Sequence, residues 1–195
     1  MIKRIFDLFF SLIGLVFFFP VLFVISIILR FCSDEPVFFL QKRVGQKGKL
    51  FKLIKFRTMI TDCNHQSTIS LKGDPRVTKI GKVLRRFKLD EMPSLYNVLI
   101  GEMSFVGPRP DVSGYADMLV GEQRKILEIK PGITGPASLK YAKEEYLLSK
   151  QKDPKLYNDT VIYPDKIRIN LEYYYNNNFW IDIKIIFATV IRIIS

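Results

Sequence analysis

The chain has 195 residues, the size of one domain, and its 30 Lys and Arg against 19 Asp and Glu give a net charge of +11. Hydrophobic residues nevertheless make up 48% of it, and the mean hydropathy is +0.12. This combination is unusual for a soluble protein and favours a membrane surface, although charge alone also allows nucleic acid. Neither Cys32 nor Cys63 has the spacing of a zinc site or a disulfide framework, which indicates a reducing compartment. His65 is the single histidine of the chain, and we assign it no catalytic role.

Residues 8–29 form an apolar segment of 22 residues without a charge, long enough to span a bilayer as a helix. A cleaved signal peptide is not expected, because the apolar run is too long and no small-residue cleavage site follows it. The segment is therefore predicted to remain in the mature protein.

Pro20 lies near the middle of this segment and predicts a kink, because it removes a helical hydrogen bond. Lys3 and Arg4 precede the segment, and residues 41–57 after it carry seven basic residues and no acid, so both flanks favour the cytoplasmic side. A re-entrant helix that bends at Pro20 satisfies both flanks. A kinked single span with a cytoplasmic C-terminal domain is equally compatible with the residues alone.

Residues 37–40 and 50–56, separated by the turn-forming residues 45–48, predict a β-hairpin. Residues 61–74 are polar and unperiodic and predict a surface loop. Residues 179–194 are mostly apolar and predict either an interfacial helix or a buried core helix.

A basic amphipathic helix is predicted after residue 74. Its apolar positions are Val77, Ile80, Leu84 and Phe87, and its cations are Arg76, Lys79, Lys82, Arg85 and Arg86. Such a helix suits a membrane interface or the binding of phosphates, while the solvated face of a core helix is the alternative.

Asp90 and Glu91 are adjacent carboxylates at the end of this helix, in a chain without a P-loop, GxGxxG, GxSxG or metal-binding His pair. Helical neighbours point about 100° apart, so the two can divide labour: one attacks an electrophile and the other holds Mg²⁺. The surrounding Arg85, Arg86 and Lys88 would keep both carboxylates ionised and balance the charge of a diphosphate. An exposed pair without function is the alternative.

Read together, these pieces resemble the small monotopic phosphoglycosyl transferases, the bacterial sugar transferases that initiate capsule, O-antigen and glycoprotein glycan assembly. The similarity runs nearly end to end. The blocks that carry it are KRIFDL (3–8), PVFF (36–39), KFRTM (55–59), LR (84–85), LDEMP (89–93), GEMSFVGPRP (101–110) and KPGITG (130–135).

The resemblance implies a mainly α fold with a short β-hairpin. Residues 1–31 would form a re-entrant, Pro-broken membrane helix, and residues 32–195 a compact, loop-rich cytoplasmic catalytic domain with interfacial amphipathic helices. The expected location is the cytoplasmic face of the bacterial inner membrane, where the protein would contact the phospholipid bilayer. It would be a monomer or a homo-oligomer.

The resemblance also implies a double displacement. Asp90 would attack the sugar-linked phosphate of a UDP-sugar and expel UMP, and polyprenol phosphate would then take the phosphosugar from the carboxylate. Glu91 would hold Mg²⁺ on the diphosphate, and Lys55 and Arg85 match basic positions near phosphates. The nucleotide site would be shaped by Pro108, Arg109 and Pro110.

Two departures from the family pattern fall where sugar or nucleotide selectivity could be set. After Gly135 many relatives continue into an Asn-Gly-Arg-Asn-like stretch, whereas this chain offers only Lys140 or Lys143 as a substitute cation. Some relatives carry an Asp near the position of Asn170. We assign no role to Asn170.

Two rival functions stay open at this point. The first is a noncatalytic, membrane-anchored basic module that binds anionic lipid or nucleic acid, although no RNA-binding signature is present and we expect no nucleic-acid partner. The second is an ordinary glycosyl transferase that releases UDP rather than UMP.

Overall fold

The computed structural model describes residues 2–32, 35–60 and 73–194. Its helices are α1 (Ile2–Cys32), α2 (Lys79–Arg86), α3 (Leu95–Ile100), α4 (Pro136–Lys140), α5 (Glu144–Ser149), α6 (Pro154–Tyr157), α7 (Tyr163–Asn176) and α8 (Phe179–Ile194). Its strands are β1 (Phe38–Val44), β2 (Leu50–Phe56), β3 (Ser104–Val106) and β4 (Gly132–Thr134). The predicted mainly α fold is confirmed. The predicted loop lies outside the described residues except for 73–74, as do Cys63 and His65.

The predicted hairpin is confirmed: β1 pairs with β2 in antiparallel register, with Phe38 opposite Phe56 and Val44 opposite Leu50. The first strand was predicted to end at residue 40, but β1 continues to Val44. The alternation continues through polar residues there. Gln41 and Arg43 are partly buried on one face of the strand.

Two groups of apolar side chains build the core around β2. Phe51 and Leu53 pack with Val98 of α3 and with Met103, while Phe56 packs beneath α1 and α2. This arrangement fixes the end of β2 beside the segment that joins α2 to α3.

β3 and β4 form a short parallel pair whose flanking loops lie in close contact. A Cβ on Gly107 would lie 2.2 Å from the Lys130 carbonyl oxygen, and one on Gly132 would lie 2.1 Å from the Gly107 nitrogen. Only glycine permits this approach. The two loops that flank β3 and β4 therefore hold each other in place.

α1 is one continuous helix of 31 residues with Pro20 inside it. Its buried residues recur on a single stripe, Asp7, Ser11, Ile25 and Leu29, whereas most of its other apolar side chains are exposed. By length and composition it is the one helix among the described residues that could cross a membrane. The helix is not interrupted at Pro20. The expected re-entry into the membrane stays a prediction.

The beginning of α1 is joined to the rest of the protein by polar contacts. Lys3 Nζ donates to Asp182 Oδ2 at 2.5 Å, to the Val106 carbonyl oxygen at 2.9 Å and to Tyr173 Oη at 3.1 Å. Asp182 is buried, so this lysine compensates a charge that would otherwise be costly.

The end of α1 packs by apolar contacts instead. Ile25 and Leu29 are buried against Phe56 of β2 and Leu84 of α2. The two ends of a helix about 45 Å long thus both contact the rest of the protein, the first at β3, α7 and α8 and the last at β2 and α2.

α8 has one buried face and one exposed face. Ile185 is buried with Val106 and Tyr173, so one face belongs to the core. Trp180 and Phe187 on the same helix are exposed, so the helix is not buried throughout. Its interfacial placement stays a prediction.

Candidate active site

Asp90 and Glu91 lie in a separate 3₁₀ helix, Leu89–Ser94, and not at the end of the basic helix as the sequence suggested. α2 ends at Arg86, and Lys88 adopts the left-handed region with φ of 57°, which turns the chain before the new helix begins. With three residues per turn, neighbours in this helix point about 120° apart. The two carboxylates therefore face different surroundings.

Glu91 accepts hydrogen bonds from two cations. Lys55 Nζ lies 2.9 Å from Glu91 Oε1, Arg109 Nη2 lies 2.5 Å from the same oxygen, and Arg109 Nη1 lies 3.2 Å from Oε2. We call this group the Glu91 clamp. It brings together three predicted site residues from β2, the 3₁₀ helix and the loop after β3.

The electrostatics of the clamp follow from burial and charge. Burial alone would raise the pKa of Glu91, but Arg109 and Lys55 outweigh it and hold that pKa well below its usual range. Burial lowers the pKa of Lys55 to about 8, although the ion pair with Glu91 opposes this shift. Glu91 is therefore ionised at neutral pH.

Asp90 is buried, and its Oδ1 has no hydrogen-bond partner among the described residues. Burial raises the pKa of Asp90, and the charge of Glu91 raises it further, while Lys55, Lys88 and Arg85 act in the opposite direction. A carboxylate oxygen without donors is poorly solvated and retains its lone pairs for a ligand.

Arg85 lies apart from the clamp. Its Nε donates to Thr58 Oγ1 at 3.0 Å, and its Nη1 lies 3.6 Å from Glu145 Oε1. It acts on Asp90 through its charge. A phosphate contact by Arg85 stays a prediction.

Pro108 and Pro110 are buried on either side of the exposed Arg109. The Pro108 carbonyl oxygen accepts from the Gly132 nitrogen at 2.8 Å, and the Pro110 carbonyl oxygen accepts from Arg43 Nη1 at 3.0 Å. These contacts fix the turn and aim Arg109 at Glu91.

Arg43 and Asp111 were not predicted as site residues, yet both lie beside the clamp. Burial raises the pKa of Asp111 to about 6, while the charges of Lys166, Arg43 and Arg109 lower it. The alternation of Gln41 and Arg43 along β1 was the available signal for Arg43, since both residues lie on one face of the strand, opposite the buried Leu53 and Phe51 of β2. Nothing in the local sequence marks Asp111.

A small cavity borders the clamp. Its volume is about 10 Å³, room for about one water molecule. Its walls are formed by Arg43, Leu53, Lys55, Glu91, Ser94, Met103, Arg109, Pro110, Gly132 and Ile133. A larger ligand must move a side chain here, and Arg109 is the exposed member of the wall.

The residues at the two departures are not members of the clamp, although the cavity that Asn170 lines also has Arg109 in its wall. Lys140 Nζ donates to Asp165 Oδ2 at 2.6 Å, and Lys143 is exposed. Asn170 is buried in α7 and lines a second cavity of about 20 Å³, and its Oδ1 has no hydrogen-bond partner among the described residues.

Known relatives are similar in sequence to this chain over nearly its whole length. The family model described as bacterial sugar transferase matches residues 1–195. The UDP-N-acetylgalactosamine-undecaprenyl-phosphate N-acetylgalactosaminephosphotransferase of Aeromonas hydrophila is 34% identical over 204 residues, 100% of this chain and 44% of the relative. The UDP-glucose:undecaprenyl-phosphate glucose-1-phosphate transferase of Klebsiella pneumoniae is 38% identical over 97% of this chain and 39% of the relative.

The chain thus spans less than half the length of these two relatives. The exopolysaccharide production protein PSS of Rhizobium leguminosarum bv. phaseoli is closer in size, at 36% identity over 97% of this chain and 94% of the relative. The match of the family model over residues 1–195 confirms the resemblance seen in the sequence blocks, and the chain belongs to the bacterial sugar transferase family.

Proposed function

We propose that the chain transfers a sugar-1-phosphate from a UDP-sugar to polyprenol phosphate and releases UMP, as the first membrane step in the assembly of a capsule, O-antigen, exopolysaccharide or glycoprotein glycan. The names of two relatives describe transfer from UDP-sugars to undecaprenyl phosphate. The observation that carries the chemistry is the buried Oδ1 of Asp90, which lies beside the Glu91 clamp and has no hydrogen-bond partner in the part of the chain that the structure describes.

In the first step, an oxygen of Asp90 forms a bond to the sugar-linked phosphorus of the UDP-sugar. The bond from that phosphorus to the bridging oxygen breaks, and UMP leaves with the bridging oxygen. Lys55 and Arg109 lie where they can stabilise the charge on the diphosphate as this bond breaks.

In the second step, an anionic oxygen of polyprenol phosphate attacks the same phosphorus. The bond to Asp90 breaks, which restores the carboxylate and leaves the phosphosugar on the lipid carrier. Both nucleophiles are anions, so neither step requires a general base. Covalent catalysis of this kind replaces one encounter between two anionic substrates by two separate ones.

Mg²⁺ is the metal expected for this reaction, and the donors fit it. Glu91 is ionised, which suits a metal that takes one or two carboxylates and completes its shell with substrate phosphates and water. Within residues 2–32, 35–60 and 73–194, no three acidic, His or Cys side chains converge to hold a metal by themselves. When bound, the metal would screen the charge of the diphosphate.

We also propose that both ends of α1 lie on the cytoplasmic side of the inner membrane, as a re-entrant helix requires. Lys3 contacts Asp182 at one end, and Leu29 packs with Phe56 and Leu84 at the other, which supports a shared side. The exposed apolar face of α1 between these ends is then available to lipid.

The sidedness of α1 is testable by cysteine labelling. With Cys32 and Cys63 replaced by serine, single cysteines at Ile2 and Lys49 are expected to react from the same side of sealed vesicles, the side marked by a cysteine at the exposed Lys155. Labelling of Ile2 and Lys49 from opposite sides would establish a single span and refute re-entry.

The released nucleotide tests the proposed reaction. Purified protein with Mg²⁺, polyprenol phosphate and a panel of UDP-sugars is expected to release UMP with one sugar and to form the lipid-linked phosphosugar. Release of UDP would instead identify a glycosyl transferase. Absence of turnover with every sugar, together with salt-sensitive binding to anionic vesicles that does not depend on Asp90, would favour the noncatalytic module.

A further inference from the structure

Arg43 lies near the end of β1, and its side chain forms part of the wall of the cavity that borders the Glu91 clamp. It is partly buried, which is unusual for a basic residue unless the charge has a partner. The proposed reaction so far uses Lys55 and Arg109 but gives Arg43 no role.

The contacts of Arg43 are with neutral groups. Its Nε and Nη2 donate to Gln41 Oε1 at 3.0 and 2.6 Å, and its Nη1 donates to the Pro110 carbonyl oxygen at 3.0 Å. These bonds fix the plane of the guanidinium and use three of its five N–H donors. No carboxylate of the described residues lies within ion-pair distance of it.

The charge around this cavity is unbalanced. The charged side chains in its wall are Arg43, Lys55, Arg109 and Glu91, a net charge of +2. Burial and the neighbouring Arg109 lower the pKa of Arg43 to about 10, while the charges of Asp111 and Glu91 oppose this shift, and Arg43 is protonated at neutral pH. The diphosphate of a nucleotide sugar carries two negative charges and would balance this wall.

The three cations differ in the protein contacts that the binding of a phosphate would break. Lys55 and Arg109 are already paired with Glu91, so a phosphate must share them with that carboxylate or displace it. Arg43 can contact a phosphoryl oxygen while its bonds to Gln41 and Pro110 remain. Its guanidinium is therefore prearranged for an anion.

We propose that Arg43, held in place by Gln41 and Pro110, binds a phosphoryl oxygen of the nucleotide-sugar diphosphate in the cavity beside the Glu91 clamp. This inference rests on the proposed function, because it takes the UDP-sugar as the ligand. It makes β1 part of the substrate site, whereas the hairpin otherwise contributes only Lys55 from β2.

The test compares a ligand that has the diphosphate with one that lacks it. Full-length Arg43→Gln in detergent is expected to bind UDP about 10- to 100-fold more weakly than the wild type by titration calorimetry, as expected for loss of a charge-assisted hydrogen bond. Its affinity for uridine is expected to remain within about twofold, since uridine has no phosphate. The matched control is Lys42→Gln, which removes an exposed charge from the adjacent position and should leave both affinities unchanged.

An equal loss of affinity for UDP and uridine would show that Arg43 only shapes the Pro110 turn and would overturn the inference. Unchanged UDP binding by Arg43→Gln would overturn it as well. If the Gln variant fails to fold, Arg43→Lys keeps the charge without the planar fork and is expected to lose about fivefold toward UDP alone. A wild-type protein that binds no UDP would contradict the proposed function itself, which separates the two failures.

Discussion

Replacement of Asp90 by asparagine is expected to lower turnover by about 10⁴-fold or more, the size of loss seen when a covalent nucleophile is removed. An amide is a poor nucleophile, and its adduct would not resemble an acyl phosphate. The fold should be retained, because asparagine has nearly the same shape and Asp90 Oδ1 has no hydrogen bond to lose among the described residues. Steady-state release of UMP from a UDP-sugar measures the effect.

The same substitution is expected to leave the thermal unfolding midpoint equal or higher. Burial raises the pKa of Asp90, which means that the folded protein disfavours the charged form there. A neutral isostere removes this penalty. A large fall in the midpoint would indicate that loss of activity reflects unfolding rather than loss of the nucleophile.

The proposed covalent intermediate is expected to be trapped in the wild type. With a UDP-sugar and no polyprenol phosphate, we expect a burst of UMP no larger than the enzyme concentration and one added phosphosugar mass on the peptide that contains Asp90. Acidic quench should preserve the adduct. Strict dependence of UMP release on the acceptor, with no adduct, would favour direct displacement and return Asp90 to the role of a base or metal ligand.

Asp117→Asn is the matched control for this substitution. Asp117 is partly buried outside the cavity that borders the Glu91 clamp, and its Oδ1 accepts from the Gly114 nitrogen at 2.7 Å, a bond that asparagine can keep. Its turnover is expected to stay near that of the wild type. A comparable loss in both variants would show that turnover is sensitive to any lost carboxylate.

Much of the site could be predicted because its residues lie in short sequence blocks that resemble those of the family. Lys55, Glu91 and Arg109 come from three such blocks, and the structure places their charged groups in direct contact. The helices α1, α2 and α8 and the hairpin follow from apolar composition, periodicity and turn residues, whereas α3 to α7 were not predicted.

The remainder depends on contacts that no local pattern contains. Lys88 is not a glycine, so its left-handed backbone, and with it the separate 3₁₀ helix of Asp90 and Glu91, could not be read from residue preference. Arg43 becomes a site residue only because β1 continues past residue 40 and because its partner Pro110 is brought close by tertiary packing.

The mutual pairing of Glu91, Lys55 and Arg109 was also not predicted from sequence. Each was assigned to substrate or metal, whereas the structure shows them bound to one another. Charges that await an anionic ligand are costly to leave uncompensated when buried, and the clamp supplies the compensation within the protein. Binding of the proposed diphosphate at Lys55 and Arg109 would therefore exchange these partners.

Replacement of Glu91 by glutamine is expected to lower turnover by about 10²-fold or more, while Glu102→Gln should stay near the wild type. Loss of Glu91 removes the counter-charge of Lys55 and Arg109 and, in the proposed mechanism, the carboxylate that would hold the metal. Glu102 is a matched control of similar burial, because its bond from Asn97 Nδ2 at 2.7 Å can be kept by a glutamine oxygen. Steady-state UMP release, with and without excess EDTA, compares the variants.

Binding of Mn²⁺ in place of Mg²⁺, followed by electron paramagnetic resonance with UDP present, separates the metal from the counter-charge. Because three hydrogen bonds already occupy the Glu91 carboxylate, we expect tight Mn²⁺ binding by the wild type only together with the diphosphate, which can draw Lys55 and Arg109 away. Glu91→Gln should lose this ternary signal, and Glu102→Gln should keep it. Full turnover in excess EDTA, or an undiminished Mn²⁺ signal in Glu91→Gln, would remove the metal from Glu91 and leave that carboxylate as the partner that positions Lys55 and Arg109.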